Sequence, residues 1–116
     1  MMFGFWHAFR GLFSLLKHER NFKVQLVCLI LVVSAGILFN ISRIEWILII
    51  LTSSLVLSLE ALNTSIEKLC DLYSIEIDNR IKTIKDIAAG SVLIASIFAV
   101  VTAIFVFYPY IVSVFN

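Results

Sequence analysis

A chain of 116 residues that is 61% apolar, 15% charged and carries a single proline has the composition of an integral membrane protein and is too short for more than one compact unit. A net charge of +1 with no block of like charges excludes an electrostatic binder of nucleic acid. Cys28 and Cys70, in or beside apolar stretches, form neither a CxxC pair nor a disulfide framework and are expected as buried free thiols.

In chain order, residues 3–18 come first. Phe5, Phe9, Leu12 and Leu16 fall on one helical face with Trp6, Phe13 and Leu15 at its flanks, and His7, Arg10, Ser14 and Lys17 fall opposite. That pattern predicts an amphipathic helix lying in the membrane surface. Arg20 and Lys23 then precede an apolar run, but no small-x-small cleavage site follows Phe39, so a retained anchor is expected rather than a signal peptide.

Three transmembrane helices are predicted, over 24–39, 46–71 and 85–108, each built on an apolar stretch that reaches bilayer length with its flanking residues. Asn40 and Ser42 suit a tight turn between the first two, and Pro109 is expected to help end the third. Ser91, Ala95, Ala99 and Ala103 recur every four residues, a small-residue ridge that lets another helix approach closely. Arg10, Lys17, Arg20 and Lys23 precede the first span, and Lys68, Arg80, Lys82 and Lys85 lie between the second and third. The positive-inside rule therefore puts the N-terminus and the loop at residues 72–84 in the cytoplasm, with Trp46, Tyr108 and Tyr110 at the outer interface. No repeat, linker or low-complexity segment interrupts this single domain.

The second span leads directly into SLEALNTSIEKLCDLY. On a helical wheel Glu60, Asn63, Glu67 and Asp71 share an arc of about 80°. A helix merely leaving the bilayer accounts for Lys68, Cys70 and Asp71, but not for Glu60 directly after an apolar run, nor for three acids and an amide on one face. Carboxylates without paired Cys or His suit a hard cation such as Mg²⁺, which keeps its waters and binds one or two carboxylates plus phosphates. A partly buried Glu can also serve as a general base. Metal and base on one helix point to phosphoryl transfer. Glu19, where the surface helix meets the first span, and Lys85 with Asp86, where the third begins, lie at the same end. Taken singly, each is an ordinary interfacial charge; together they surround a stripe that needs partners. The four glycines build neither a P-loop nor a G-x-G-x-x-G turn, so a nucleotide would be held by another architecture.

Glu60-Ala-Leu-Asn63-Thr64-Ser65-Ile66-Glu67 followed by Asp71 resembles the E-x-x-N-[ST]-A-I-E-x-x-x-D signature of the small prokaryotic diacylglycerol and undecaprenol kinases. Lys85-Asp86-Ile87-Ala88-Ala89-Gly90-Ser91-Val92-Leu93 is similar to that family's K-D-x-A-A-G-A-V-L, and Arg10-Gly11-Leu12 and Glu19-Arg20-Asn21-Phe22 resemble its K-G-L and E-R-N-F elements. The resemblance implies an all-α membrane lipid kinase, with a surface helix and three transmembrane helices, that assembles as a homotrimer with active sites between subunits in the inner (cytoplasmic) membrane. It implies transfer of the ATP γ-phosphoryl group to a lipid hydroxyl, of diacylglycerol or undecaprenol, on the cytoplasmic side. By the same resemblance Glu60 is the general base with Asn63 beside it, and Glu19 and Glu67 are the Mg²⁺ ligands. Glu76, Lys85 and Asp86 contact the nucleotide, with Asp71 toward its side.

Ser65 replaces the signature's usual alanine, His7 a common tyrosine and Asp78 a frequent histidine, so nucleotide contacts at His7 and Asp78 are not carried over. Two rival readings stand beside the kinase: a proton- or cation-coupled transporter with Glu60 as its ion site, and a non-catalytic subunit packing through the Ser91–Ala103 ridge. The first leaves Glu19 and Lys85 without a task, and the second leaves the stripe unexplained.

Overall fold

The computed structural model describes residues 2–73 and 78–116, with side chains from residue 4 onward. The described residues form four α-helices: α1 (Met2–His18), α2 (Arg20–Phe39), α3 (Arg43–Tyr73) and α4 (Asn79–Phe115). Three of them, α2, α3 and α4, are long and apolar enough to cross a membrane. At 20 residues α2 matches a hydrocarbon core of about 30 Å, whereas α3 with 31 residues and α4 with 37 overshoot it.

Glu19 alone separates α1 from α2. Its extended backbone (φ −106°, ψ 111°) turns the chain, while its N–H still donates to the Leu15 carbonyl at 2.9 Å and its own carbonyl accepts from Lys23 N–H at 3.2 Å. A single residue thus makes the corner, with the Phe22 ring buried just inside it.

The α2–α3 turn is closed from both sides. Asn40 takes a left-handed conformation (φ 52°), which asparagine tolerates better than other side chains with a Cβ. Ile41 N–H then reaches back to the Gly36 carbonyl at 3.2 Å. Ser42 and Glu45 form a reciprocal capping box: Ser42 N–H donates to Glu45 Oε1 at 2.8 Å, and Glu45 N–H donates to Ser42 Oγ at 3.2 Å. Gly36 leaves room for an indole, since a Cβ there would come within 2.6 Å of Trp46 Cη2.

The most extensive interface is the antiparallel one between α3 and α4. Buried side chains recur at Ile49, Val56, Glu60, Asn63 and Cys70 on α3 and at Ile81, Ala88, Ala95 and Val106 on α4. These spacings of three, four and seven residues, or their sums, define a heptad-like seam. At the end remote from Tyr73 and Asn79, Ile41, Ile49, Val106 and Phe107 are buried together against Phe39, Trp46 and Tyr110. The outward faces, among them Leu31, Leu38, Phe98 and Phe105, are apolar and exposed. Several hydroxyls within the spans bond back to their own helices, as Ser34 does to the Ile30 carbonyl at 2.8 Å and Thr52 to the Leu48 carbonyl at 2.9 Å, which spares lipid those polar groups.

Pro109 does not end the last helix. α4 runs through it to Phe115, and Asn116 N–H still donates to the Val112 carbonyl at 3.1 Å. Proline removes one donor, but in apolar surroundings helix remains the conformation that satisfies the remaining backbone groups. Phe39 packs on Phe107 and Tyr110, on either side of the proline, with ring centroids 6.2 and 5.8 Å away.

Candidate active site

Going along the seam of α3 from Ile49, positions 53, 56, 60, 63, 67 and 70 alternate steps of four and three. The half nearer the Ile41–Phe107 cluster is apolar apart from the half-buried Ser53, and the other half turns polar at Glu60, Asn63 and Glu67. Glu60 is 5% exposed and Asn63 7%, so the first two polar positions lie inside the helix pair rather than at the point where a helix meets water. Across from them α4 offers Ala88 and Ala95, which are buried, and Ser91, which is half-buried.

Two contacts fix the level of each residue. Tyr110 OH donates to Glu45 Oε1 at 2.5 Å at one end, and Lys85 Nζ donates to Asp71 Oδ1 at 2.6 Å at the other. The paired residues are 26 positions apart on α3 and 25 on α4, so one antiparallel register holds throughout and puts Glu60 level with Ala95. Descending α3 from Glu60, Glu67 lies about 10 Å lower and Asp71 about 16 Å lower.

Within the stripe, Asn63 Nδ2 donates to Glu67 Oε1 at 3.1 Å. Its carbonyl oxygen, Oδ1, is buried and among the described residues has no hydrogen-bond partner. An orphaned acceptor of this kind costs about 1–3 kcal/mol, and a hydroxyl donor is the complement it lacks. Thr64 is buried one position on, and its hydroxyl is turned to the Glu60 backbone carbonyl at 3.1 Å. Glu67, Asp71 and Asp86 are exposed and Lys85 is half-buried, so the stripe grades from dry to wet.

Glu19 is held by Lys68 at 3.3 Å. Read from sequence, Lys68 is one more solvated charge; the structure makes it the tie between the α1–α2 corner and α3. The cue was its place beside Glu67 at the depth of Glu19, but only the packed helices show the pairing. The pair stands at the polar end of a groove of about 740 Å³ lined by Gly11, Leu12, Leu15, Leu57, Ala61 and Ser65.

Glu19 and Glu67, the two residues expected to share a metal, are thus engaged by different partners, Lys68 and Asn63. Among the described residues no three carboxylate, imidazole or thiol groups converge into a cage. A Mg²⁺ ion does not need one, because it takes one or two carboxylates and draws its other ligands from water and phosphate. The hard oxygen donors at this end fit that chemistry. Glu76 lies outside the described residues. Asp78 is the N-cap of α4: its Oδ1 accepts from Arg80 N–H at 2.8 Å and its Oδ2 from the Arg80 guanidinium at 3.1 Å, bonds that hold its carboxyl below the usual carboxylate range. His7 is exposed on α1.

Residues 6–107 match the sequence profile of a family described as prokaryotic diacylglycerol kinase. The chain is 35% identical over 105 residues to the undecaprenol kinase of Bacillus subtilis, an alignment covering 90% of this chain and 85% of that protein. It is 34% identical over 102 residues to the diacylglycerol kinase of a Synechocystis species, covering 87% of this chain and 58% of that protein.

Proposed function

The chain belongs to the prokaryotic diacylglycerol kinase family of membrane lipid kinases, and on that premise we propose that it phosphorylates undecaprenol with Mg²⁺ and ATP at the polar half of the α3–α4 seam. The observation that carries the reading is the buried pair Glu60 and Asn63, with an acceptor oxygen that lacks a donor beside a carboxylate at the edge of the apolar zone. A lipid hydroxyl arriving at that depth donates to Asn63 Oδ1 or to the Glu60 carboxylate, and Glu60 takes its proton as the phosphoryl group is transferred. Asn63, through Nδ2, also holds Glu67 one turn nearer the water.

Glu67 and Glu19 are the residues to hold Mg²⁺, which when bound offsets the negative charge of the phosphates. Lys85 turns from Asp71 toward a phosphate oxygen, and Asp71, Glu76 and Asp86 complete the nucleotide end. Catalysis then rests on positioning and fixed charge, and the polar gradient along α3 brings a water-soluble donor and a lipid acceptor to one place. In this reading α1 lies in the membrane surface, the polar end faces the cytoplasm, as the Lys and Arg distribution supports, and the exposed apolar faces associate into a homotrimer in the cytoplasmic membrane.

Undecaprenol is preferred to diacylglycerol as acceptor because the undecaprenol kinase alignment covers more of the relative's length. Transport through Glu60 is disfavoured: Glu60, Glu67 and Asp71 occupy one end of the seam, and the other is closed by Ile41, Ile49, Val106 and Phe107. In mixed micelles with γ-labelled ATP and Mg²⁺, label should pass to undecaprenol, and more slowly or not at all to diacylglycerol. Preferential labelling of diacylglycerol would overturn the acceptor assignment, and labelling of neither lipid would sink the kinase mechanism. Glu60→Gln, an isostere that still fits the buried site, should lower the rate at least about 100-fold while nucleotide binding persists.

A further inference from the structure

Between the buried Ile81 at one end and Val106 and Phe107 at the other, the face that α4 turns to α3 is made of small residues: Ala88, Ser91, Ala95, Ala99 and Ala103. Such a ridge permits close approach but interlocks little. Along this stretch a move of α4 by one turn, about 5.4 Å, brings Ala99 to the level of Ala95, and Ala103 to that of Ala99, at small packing cost, so resistance to sliding comes from the ends. The depth of Glu60 against α4 is therefore set by the two ends of the helix pair. At the polar end the tie is the exposed Asp71–Lys85 pair, and the proposed function takes Lys85 away from it. At the other end Glu45 Oε1 accepts from Tyr110 OH and from Ser42 N–H. The Tyr110 ring lies on Phe39, beside the buried Ile41, Ile49, Val106 and Phe107.

We propose that Glu45 and Tyr110 are positioning residues for the kinase reaction: their bond, at the end of the bundle opposite the active site, fixes the α3–α4 register while Lys85 is engaged elsewhere. The catalytic consequence rests on the role proposed for Lys85, but the register claim itself does not. A slip of one turn displaces Lys85, Asp86 and Ala95 relative to Glu60 by about 5.4 Å, more than the tolerance of a positioned base.

Cross-linking reads register without reference to activity. In a full-length chain with Cys28→Ser and Cys70→Ala, the pair Val56→Cys with Ala99→Cys reports the observed register, and Val56→Cys with Ala103→Cys reports a one-turn slip. Intrachain products, separated by mass from those between copies, give the ratio. With Lys85→Met alone the 56–99 pair should stay dominant, because the remote tie persists. With Lys85→Met and Tyr110→Phe together, the slipped product should gain about fivefold, the shift expected for loss of one hydrogen bond. Glu45→Gln keeps an oxygen for the Tyr110 hydroxyl and should preserve the ratio in the Lys85→Met background. An unchanged ratio in Lys85→Met/Tyr110→Phe overturns the proposal. Absence of lipid labelling by the parent chain, with the slip still observed, counts against the kinase mechanism and leaves the register claim intact.

Discussion

Asn63 shows how a single residue can set stability against function. Its buried Oδ1 has no partner among the described residues, while its amide group holds Glu67. Asn63→Leu places an apolar side chain of similar size on a seam whose other half, with Ile49 and Val56, is largely apolar. It should raise unfolding stability in detergent by about 1 kcal/mol, since an orphaned polar group is removed, and should abolish most lipid labelling. A variant both less stable and fully active would contradict the role given to Asn63. Asp78 makes a separate, pH-dependent contribution. Its carboxyl is held below its ordinary range by the Arg80 side chain and backbone N–H. A carboxylate depressed in the fold stabilises it above the unfolded-state pKa, and that stabilisation is lost as pH falls through the lower, folded value. Hydrogen exchange at Arg80 N–H should therefore show protection that falls on acidification, beyond the intrinsic rate change. In Asp78→Asn, which caps but does not titrate, that pH dependence should vanish.

At the scale of elements, the outer turn depends on Gly36. An added Cβ meets Trp46 Cη2 at 2.6 Å and Ile41 Cδ1 at 3.1 Å, and an indole wedged between α2 and α3 has little freedom to withdraw. Gly36→Ala should cost about 1–3 kcal/mol, seen as a lower unfolding midpoint with a shift in tryptophan emission; an unchanged midpoint would mean that the ring moves freely. The same turn shows what sequence can carry. Asn40 and Ser42 are legible as turn residues because they act within a few residues, whereas the capping box that Ser42 forms with Glu45 emerges from the structure. The face shared by Glu60, Asn63, Glu67 and Asp71 is legible because helical periodicity alone puts them together. Pro109 misleads, since its local veto on helix is overridden where the backbone has few other partners. The pairings of Lys68 with Glu19, Lys85 with Asp71 and Tyr110 with Glu45 needed the relative placement of whole helices, which no local pattern encodes.

For the whole molecule, what matters is where the stripe lies relative to other copies. Glu60, Asn63 and Glu67 all belong to one helix, and the register set by Glu45–Tyr110 and Asp71–Lys85 faces them with α4 of the same chain. On the proposed reading each copy therefore brings its own base, Glu60, and its own α4 wall, whichever copy supplies the groups that complete the site. This is not the arrangement of one site built on a symmetry axis, where every copy contributes an equivalent carboxylate. The two geometries obey different dilution laws when Glu60→Gln chains are co-assembled with active chains. One base per chain gives activity that falls linearly with the inactive fraction, so an equal mixture retains about half. A trimer with one axial site needing all three carboxylates retains about one eighth of the sites at the same ratio. Labelling of lipid across a series of mixing ratios separates the curves, and we expect the linear one; a cubic fall would mean that the active α3 faces the axis and that the seam seen in one chain opens on assembly.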